Sequence, residues 1–193
     1  MLTLFRNLLF IFLLPLTAHA EWVVHEGGVK IAVLLDIEEG DEKLPAAERY
    51  IISSPGGNFG TTQLVAAALQ GKPVFYDFAL SGGAFIANAT NAIPIMADSV
   101  KGYHWSRYDG DKDPKLNNDI KMLLILIDQE ILKNIINKYQ PRFAARIIGM
   151  MDGLKETEFV IDVASEPDPK VLDEAKFRNL AAFKRYKAII NDQ

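Results

Sequence analysis

The chain has 193 residues, of which 49% are hydrophobic and 24% charged, with 13 glycines, nine prolines and no cysteine. These values suit one globular domain and exclude low-complexity sequences, disulfide frameworks, thiol catalysis, zinc fingers and iron–sulfur clusters. A formal net charge of −4 and a pI near 5.4 argue against nucleic acid or an anionic membrane as the main partner.

Residues 1–20 have the order of a secretory signal peptide. Arg6 lies in a start without acidic residues, residues 8–16 are apolar, and the run AHA that ends at Ala20 has the small-x-small form of a cleavage site. The alternative, a membrane anchor, needs about 20 apolar residues, more than this stretch offers. We therefore expect export to the periplasm, or secretion, with cleavage after Ala20 and one domain over residues 21–193.

Strand and helix patterns alternate in the first half of the mature chain. Apolar runs typical of buried strands occupy residues 29–36, 50–53, 74–80 and 93–97. Helices are predicted over residues 61–70 and 84–91. This alternation implies right-handed βαβ crossovers and a mainly parallel sheet.

The second half of the chain is predicted to be mostly helical. From Asp119, apolar residues recur at helical spacing and indicate a long amphipathic helix that ends before Pro141. Its middle, residues 122–127, is apolar all round, which favours burial against both the core and a neighbouring subunit of a homo-oligomer. The remaining predicted elements are a helix over residues 142–151, a strand over 157–163 and a closing helix over 170–190.

Two acidic runs interrupt these elements, at residues 38–43 (EEGDEK) and 106–114 (SRYDGDKDP). Both are predicted to be solvated loops, with calcium binding as the alternative. The second run lacks the acidic residue that closes a calcium-binding loop. No metal site is therefore predicted.

Candidate chemistry begins at residues 54–57 (SPGG), which follow the second predicted strand. Adjacent glycines let the backbone approach a ligand closely and aim successive N–H groups at one point, as an oxyanion hole requires. An ordinary turn is the alternative interpretation.

A serine and a histidine follow at strand ends. Ser81 occupies a strand-to-helix turn, which presents its hydroxyl at the carboxyl edge of the sheet and beside a helix N-terminus. His104 follows 23 residues later, after the next predicted strand, and is expected at the same edge. The alternatives are an N-capping serine and a packed histidine.

In this order the features resemble the Clp-type serine protease branch of the ClpP/crotonase-like superfamily. The matching segments are residues 54–57, 81–85 (SGGAF) and 102–104 (GYH). The resemblance implies an α/β fold with a mainly parallel sheet of ββα units, flanked by helices and followed by C-terminal helices. It also implies Ser81 as the nucleophile and His104 as the general base. The oxyanion donors that it implies are the N–H groups of Gly56 or Gly57 and of Gly82.

A third catalytic residue is less sharply indicated. In this family an acid follows the histidine after two helices, where this chain has Asp152, with Asp162 as the alternative. The chain departs from the family before the first motif, since a helix that normally separates the first strands shrinks to residues 44–49. This departure bears on the substrate-side wall and on ring assembly.

The sequence therefore favours an exported serine peptidase or hydrolase that forms an acyl-enzyme with peptide or protein substrates and needs no cofactor. The alternative with the same fold is a catalytically inactive binding or scaffold protein of the bacterial envelope. Acyl-CoA chemistry is disfavoured, because that cofactor is cytoplasmic and nothing basic lies between Gly57 and Lys72 to hold its phosphates.

Overall fold

A computed structural model describes residues 22–106 and 114–192, without the side chains of residues 114–119. The expected signal peptide, residues 1–20, and most of the second acidic run lie outside the described residues. The described part of the chain forms one mixed α/β arrangement, in which eight strands make a single sheet.

The sheet runs in the order β1-β2-β3-β4-β6-β7-β8, and the short strand β5 pairs with β4. Its strands are β1 (Trp22–Glu26), β2 (Lys30–Leu34), β3 (Arg49–Ser54), β4 (Val74–Leu80), β5 (Ile93–Pro94), β6 (Val100–Tyr103), β7 (Glu158–Val163) and β8 (Lys170–Asp173). Strands β2, β3, β4 and β6 are parallel neighbours, and β5 is also parallel to β4.

The expectation of a mainly parallel sheet holds at its centre and is wrong at its edges. Strand β1 pairs with β2, and β7 with both β6 and β8, in antiparallel fashion. The β1–β2 connection is only three residues long, and parallel neighbours need a crossover of about a dozen or more. The sheet is therefore mixed.

The helices are α1 (Phe59–Ala68), α2 (Gly82–Ala89), α3 (Pro114–Lys138), α4 (Pro141–Met151), α5 (Glu174–Phe177) and α6 (Ala181–Asn191). The single closing helix predicted over residues 170–190 is wrong. Strand β8 comes first, and Asp173 then caps α5 by accepting a hydrogen bond from the Lys176 N–H. The shrunken helix expected over residues 44–49 is also wrong, because that segment is irregular before β3 begins.

Three apolar clusters surround the sheet. Alternate residues of β2 enter two of them: Ala32 and Leu34 pack with α1 and α2 on one face, and Val33 packs with α5 and α6 on the other. A third cluster joins α3 and α4 to the end of β6 through Tyr103. The central strands are covered on both faces, as their apolar runs predict.

Within the residues the structure describes, no helix has the length and hydrophobicity that a bilayer crossing needs. Helix α3 nevertheless exposes large apolar side chains in its middle, at 50 to 61% of their surface. These side chains are Met122, Leu123, Ile125 and Leu126. Burial of this stretch by a neighbouring subunit stays a prediction.

A buried carboxylate in the sheet is paired with the last helix. Asp77, on β4, is 3% exposed and accepts hydrogen bonds of 2.6 Å from both Nε and Nη2 of Arg185 on α6. The same guanidinium also binds Asp98, and Ser99 donates a further hydrogen bond to Asp77. Pairing with Arg185 lowers the pKa of Asp98. The C-terminal helix is thus attached to the strand that leads to Ser81.

We expect Arg185→Ala to lower the free energy of unfolding by about 3 kcal/mol, because it leaves the buried Asp77 carboxylate without its charged partner. Arg178→Ala is the matched control: it removes an exposed pair with Glu174 and should cost less than about 1 kcal/mol. Urea unfolding of the two variants measures the difference. Equal losses would contradict the role given to Arg185.

Candidate active site

Ser81 lies between the end of β4 and the start of α2, in a strained backbone conformation. Its φ of 50° and ψ of −117° are in a region that residues with a side chain rarely adopt. Its N–H donates to the Gly102 carbonyl at 2.9 Å, and its carbonyl accepts from the Phe85 N–H. Ser81 occupies the N-cap position of α2, as the alternative interpretation expects, but its side chain makes no capping hydrogen bond to the helix.

The glycine loop packs directly against Ser81. A Cβ added at Gly56 would lie 2.8 Å from the Ser81 Cβ, a separation that real atoms do not reach. The loop is itself held by Ile37, whose N–H donates to the Gly56 carbonyl at 3.2 Å. A side chain at residue 56 would therefore displace either the loop or the serine.

The three predicted oxyanion donors differ in their hydrogen bonding. The Gly56 N–H donates to Ser54 Oγ at 3.1 Å within the loop, so it is already used. Gly57 and Gly82 both line the cleft that contains Ser81. The Gly82 N–H also begins α2, where the first N–H groups of a helix have no partner within it. Gly57 and Gly82 are thus better placed than Gly56 to bind an oxyanion.

His104 directly follows β6, the parallel neighbour of β4, and so lies at the same sheet edge as Ser81. Its Nδ1 is 2.5 Å from the Trp105 carbonyl oxygen, and its ring packs edge-on against Phe159 with centroids 4.8 Å apart. A carbonyl oxygen only accepts, so Nδ1 carries the proton in the neutral ring and Nε2 carries the lone pair. That tautomer is the one a general base at Nε2 requires.

Ser81 and His104 line one cleft of about 250 Å³. Its walls are mostly apolar and come from the glycine loop, from α1 and α2 and from the inner side of α3. The lining residues are Gly57, Phe59, Ser81, Gly82, Phe85, His104, Ser106, Leu124, Ile127 and Ile131. The cleft is thus suited to a ligand with an apolar group.

The two candidate acids have different neighbours. Asp152 ends α4, and its Oδ1 accepts a hydrogen bond of 3.2 Å from Nε1 of Trp105, the residue after His104. Asp162 lies on β7, accepts a 2.5 Å hydrogen bond from the Tyr139 hydroxyl and pairs with Lys101 at 3.4 Å. Asp162 therefore belongs to a buried network beneath the cleft.

This buried network was not anticipated from the sequence. Lys101 Nζ donates to Asn88 Oδ1 at 3.1 Å and lies 4.5 Å from the centre of the Tyr139 ring. Asn88 also donates to Asn134 on α3, while the hydroxyls of Tyr103 and Tyr139 are 2.6 Å apart. Tyr103 and Asn134 line a small recess together with Ser81 and His104. The network therefore supports the floor of the cleft.

Burial changes the acid–base properties of this network. Loss of hydration lowers the pKa of Lys101 to about 8, although Asp162 partly opposes the shift. Burial also raises the pKa of Tyr103 and Tyr139, and that of Tyr76 to about 12. Below pH 8 the network thus holds one buried ammonium, whose strand partner is Asp162.

Among the described residues, no group of three or more histidine, aspartate or glutamate side chains is arranged to hold a metal ion. Neither a comparison with models of protein families nor one with curated proteins finds a match for this chain. The roles of Ser81, His104, Asp152 and the three glycines accordingly stay predictions.

We expect Gly56→Ala to lower the rate at which a fluorophosphonate probe labels Ser81 by about 10²-fold, because the new methyl group displaces the serine. Gly40→Ala is the matched control, since Gly40 has a similar φ of 107° and open space around it. It should cost about 1 kcal/mol of stability through backbone strain and leave probe reactivity unchanged. An equal loss of reactivity in both variants would contradict the contact with Ser81.

We also expect the stability of the network to depend on pH. The folded pKa of Lys101, about 8, is below its unfolded value, so folding opposes its charged form and stability rises as pH increases above 8. Between pH 7.5 and 9.5 this effect of Lys101 raises the free energy of unfolding by about 2 kcal/mol. Above pH 10 the raised tyrosine pKa values act in the opposite direction.

The control for this pH dependence is the double variant Lys101→Met/Asp162→Asn, which removes both charges and keeps an oxygen to accept from Tyr139. Urea unfolding of both proteins at each pH measures the difference in slope. A wild-type slope equal to that of the variant would show that Lys101 is not responsible.

Proposed function

We propose that this protein is an exported serine peptidase, or a hydrolase with the same acyl-enzyme chemistry, and that it has a ClpP/crotonase-like fold. The observation that carries the proposal is the shared cleft of Ser81, His104, Gly57 and Gly82. In that cleft the serine hydroxyl is not used as a helix cap, and its backbone is strained. Strain of this kind occurs most often at functional sites.

In the proposed reaction, Ser81 Oγ attacks the substrate carbonyl carbon while its proton moves to His104 Nε2. The carbonyl oxygen becomes an oxyanion that accepts hydrogen bonds from the N–H groups of Gly57 and Gly82. Collapse of this intermediate breaks the C–N bond of a peptide, and the leaving amine takes the proton from Nε2. Water then attacks the acyl carbonyl carbon while its proton moves to His104 Nε2. The ester C–O bond breaks, the acid product leaves, and Ser81 Oγ takes the proton back from Nε2.

The proposed substrates are peptides or proteins that place an apolar side chain in the cleft. Leu124, Ile127 and Ile131 of α3 and the rings of Phe59 and Phe85 supply apolar contact, and the cleft volume of about 250 Å³ suits one large side chain. No cofactor takes part in these steps. Activity as a homo-oligomer is also proposed, and the exposed apolar residues of α3 support it.

We expect Ser81→Ala to abolish covalent labelling by a fluorophosphonate probe, because the alkoxide that attacks phosphorus is lost. Ser165→Ala is the control, since Ser165 is exposed and lies beside Ala97, at the opposite end of β6 from His104. It should label like the wild type. Mass spectrometry of the intact protein measures the adduct. Equal labelling of wild type and Ser81→Ala would exclude the proposed chemistry.

The same experiment separates the proposal from the alternative of an inactive binding or scaffold protein. A scaffold with this cleft would bind peptides with apolar side chains without forming an adduct. His104→Gln should lower the labelling rate strongly in an enzyme, whereas a scaffold would form no adduct with or without this substitution.

A further inference from the structure

The segment that carries His104 is held at three successive residues. The His104 ring is bound through Nδ1 to the Trp105 carbonyl, and the Trp105 indole donates to Asp152. Ser106 donates through both its N–H and its Oγ to Asp128 Oδ1, at 2.8 and 2.6 Å. Carboxylates of two different helices, α3 and α4, therefore fix the backbone that follows the histidine.

The position of Asp152 is not explained by helix stability. Asp152 caps the C-terminus of α4, where the helix dipole disfavours a negative charge. Its described side-chain hydrogen bond reaches across 47 residues to the Trp105 indole, which also packs against the apolar cluster of α3 and α4. The indole is thus held by apolar packing against this cluster and by Asp152 at its N–H.

Only two rotatable bonds join the indole to the Trp105 backbone, so anchoring the indole restricts where that backbone can lie. The Trp105 carbonyl is the acceptor for His104 Nδ1. A carboxylate that orients the imidazole directly would contribute a full negative charge, whereas a backbone carbonyl contributes only a dipole. The two arrangements therefore respond differently when the charge of Asp152 is removed.

We propose that Asp152 is a positioning residue that acts through Trp105, and that the Trp105 carbonyl orients His104 where a serine protease triad would use an acid. This inference rests on the function proposed above. It changes the role of Asp152 from a charged partner of the imidazole to an oxygen that accepts from an indole N–H.

The deciding comparison is between Asp152→Asn and Asp152→Leu, measured as fluorophosphonate labelling rates across pH. Asp152→Asn keeps an oxygen for the indole and should change the rate less than about threefold, with an unchanged pH midpoint. Asp152→Leu removes the acceptor and should lower the rate about tenfold. If the carboxylate were a direct triad acid, Asp152→Asn would cost about 10⁴-fold.

Trp105→Phe tests the same connection from the other side. It should lower the rate about as much as Asp152→Leu, and combining the two should cost little more than either alone. Trp22→Phe is the matched control, because the Trp22 indole also donates one hydrogen bond, to the Asp41 carbonyl, and neither residue lines the cleft. It should label like the wild type.

A measurement that does not depend on activity separates this inference from the proposed function. Nitrogen-15 NMR of His104, assigned with a His25→Gln variant, should show a proton on Nδ1 in the wild type and a mixture of tautomers in Asp152→Leu. A protonated Nε2 in the wild type, a 10⁴-fold loss in Asp152→Asn, or wild-type rates in both Asp152→Leu and Trp105→Phe would each overturn the inference. Absence of labelling in the wild type, with the expected tautomers, would instead exclude only the proposed function.

Discussion

The architecture of the cleft depends on one tight contact, that between the Gly56 backbone and Ser81. Ser81 can keep its positive φ only because its N–H is bound to Gly102, because α2 starts immediately after it, and because no side chain occupies the space at residue 56. A conformation of this kind costs about 1–3 kcal/mol and persists only where the surroundings impose it. The central parallel strands supply those surroundings.

Rigidity below and beside the cleft comes from polar groups rather than from apolar packing alone. The network of Lys101, Asp162, Tyr139 and Asn88 is buried and joins β6, β7, α2 and α3 through hydrogen bonds. Removing one member would leave another without a partner in a medium of low dielectric constant. Burying Lys101 and Asp162 costs free energy, but the hydrogen bonds of the network fix the relative positions of these elements below the cleft.

The sequence was informative where local rules decide structure. Strand β4 was predicted with its observed bounds, and the turn at Ser81 followed from a strand that runs directly into a helix. Strand β6 was missed because its buried Lys101 reads as a surface residue until Asp162 is known to lie opposite. The hydrogen bond between Asp152 and Trp105 spans 47 residues, and no local pattern specifies it. That Ser81 and His104 lie at one sheet edge and line one cleft could therefore be expected from the sequence, whereas their mutual orientation could not.

The ion pair between Arg185 and Asp77 has a consequence for biosynthesis. The two residues are 108 positions apart, so a chain made from its N-terminus exposes the central carboxylate well before the guanidinium exists. Burying this carboxylate before α6 is made would leave it without a charged partner, which is unfavourable. Closing the sheet around this carboxylate is therefore coupled to the synthesis of α6.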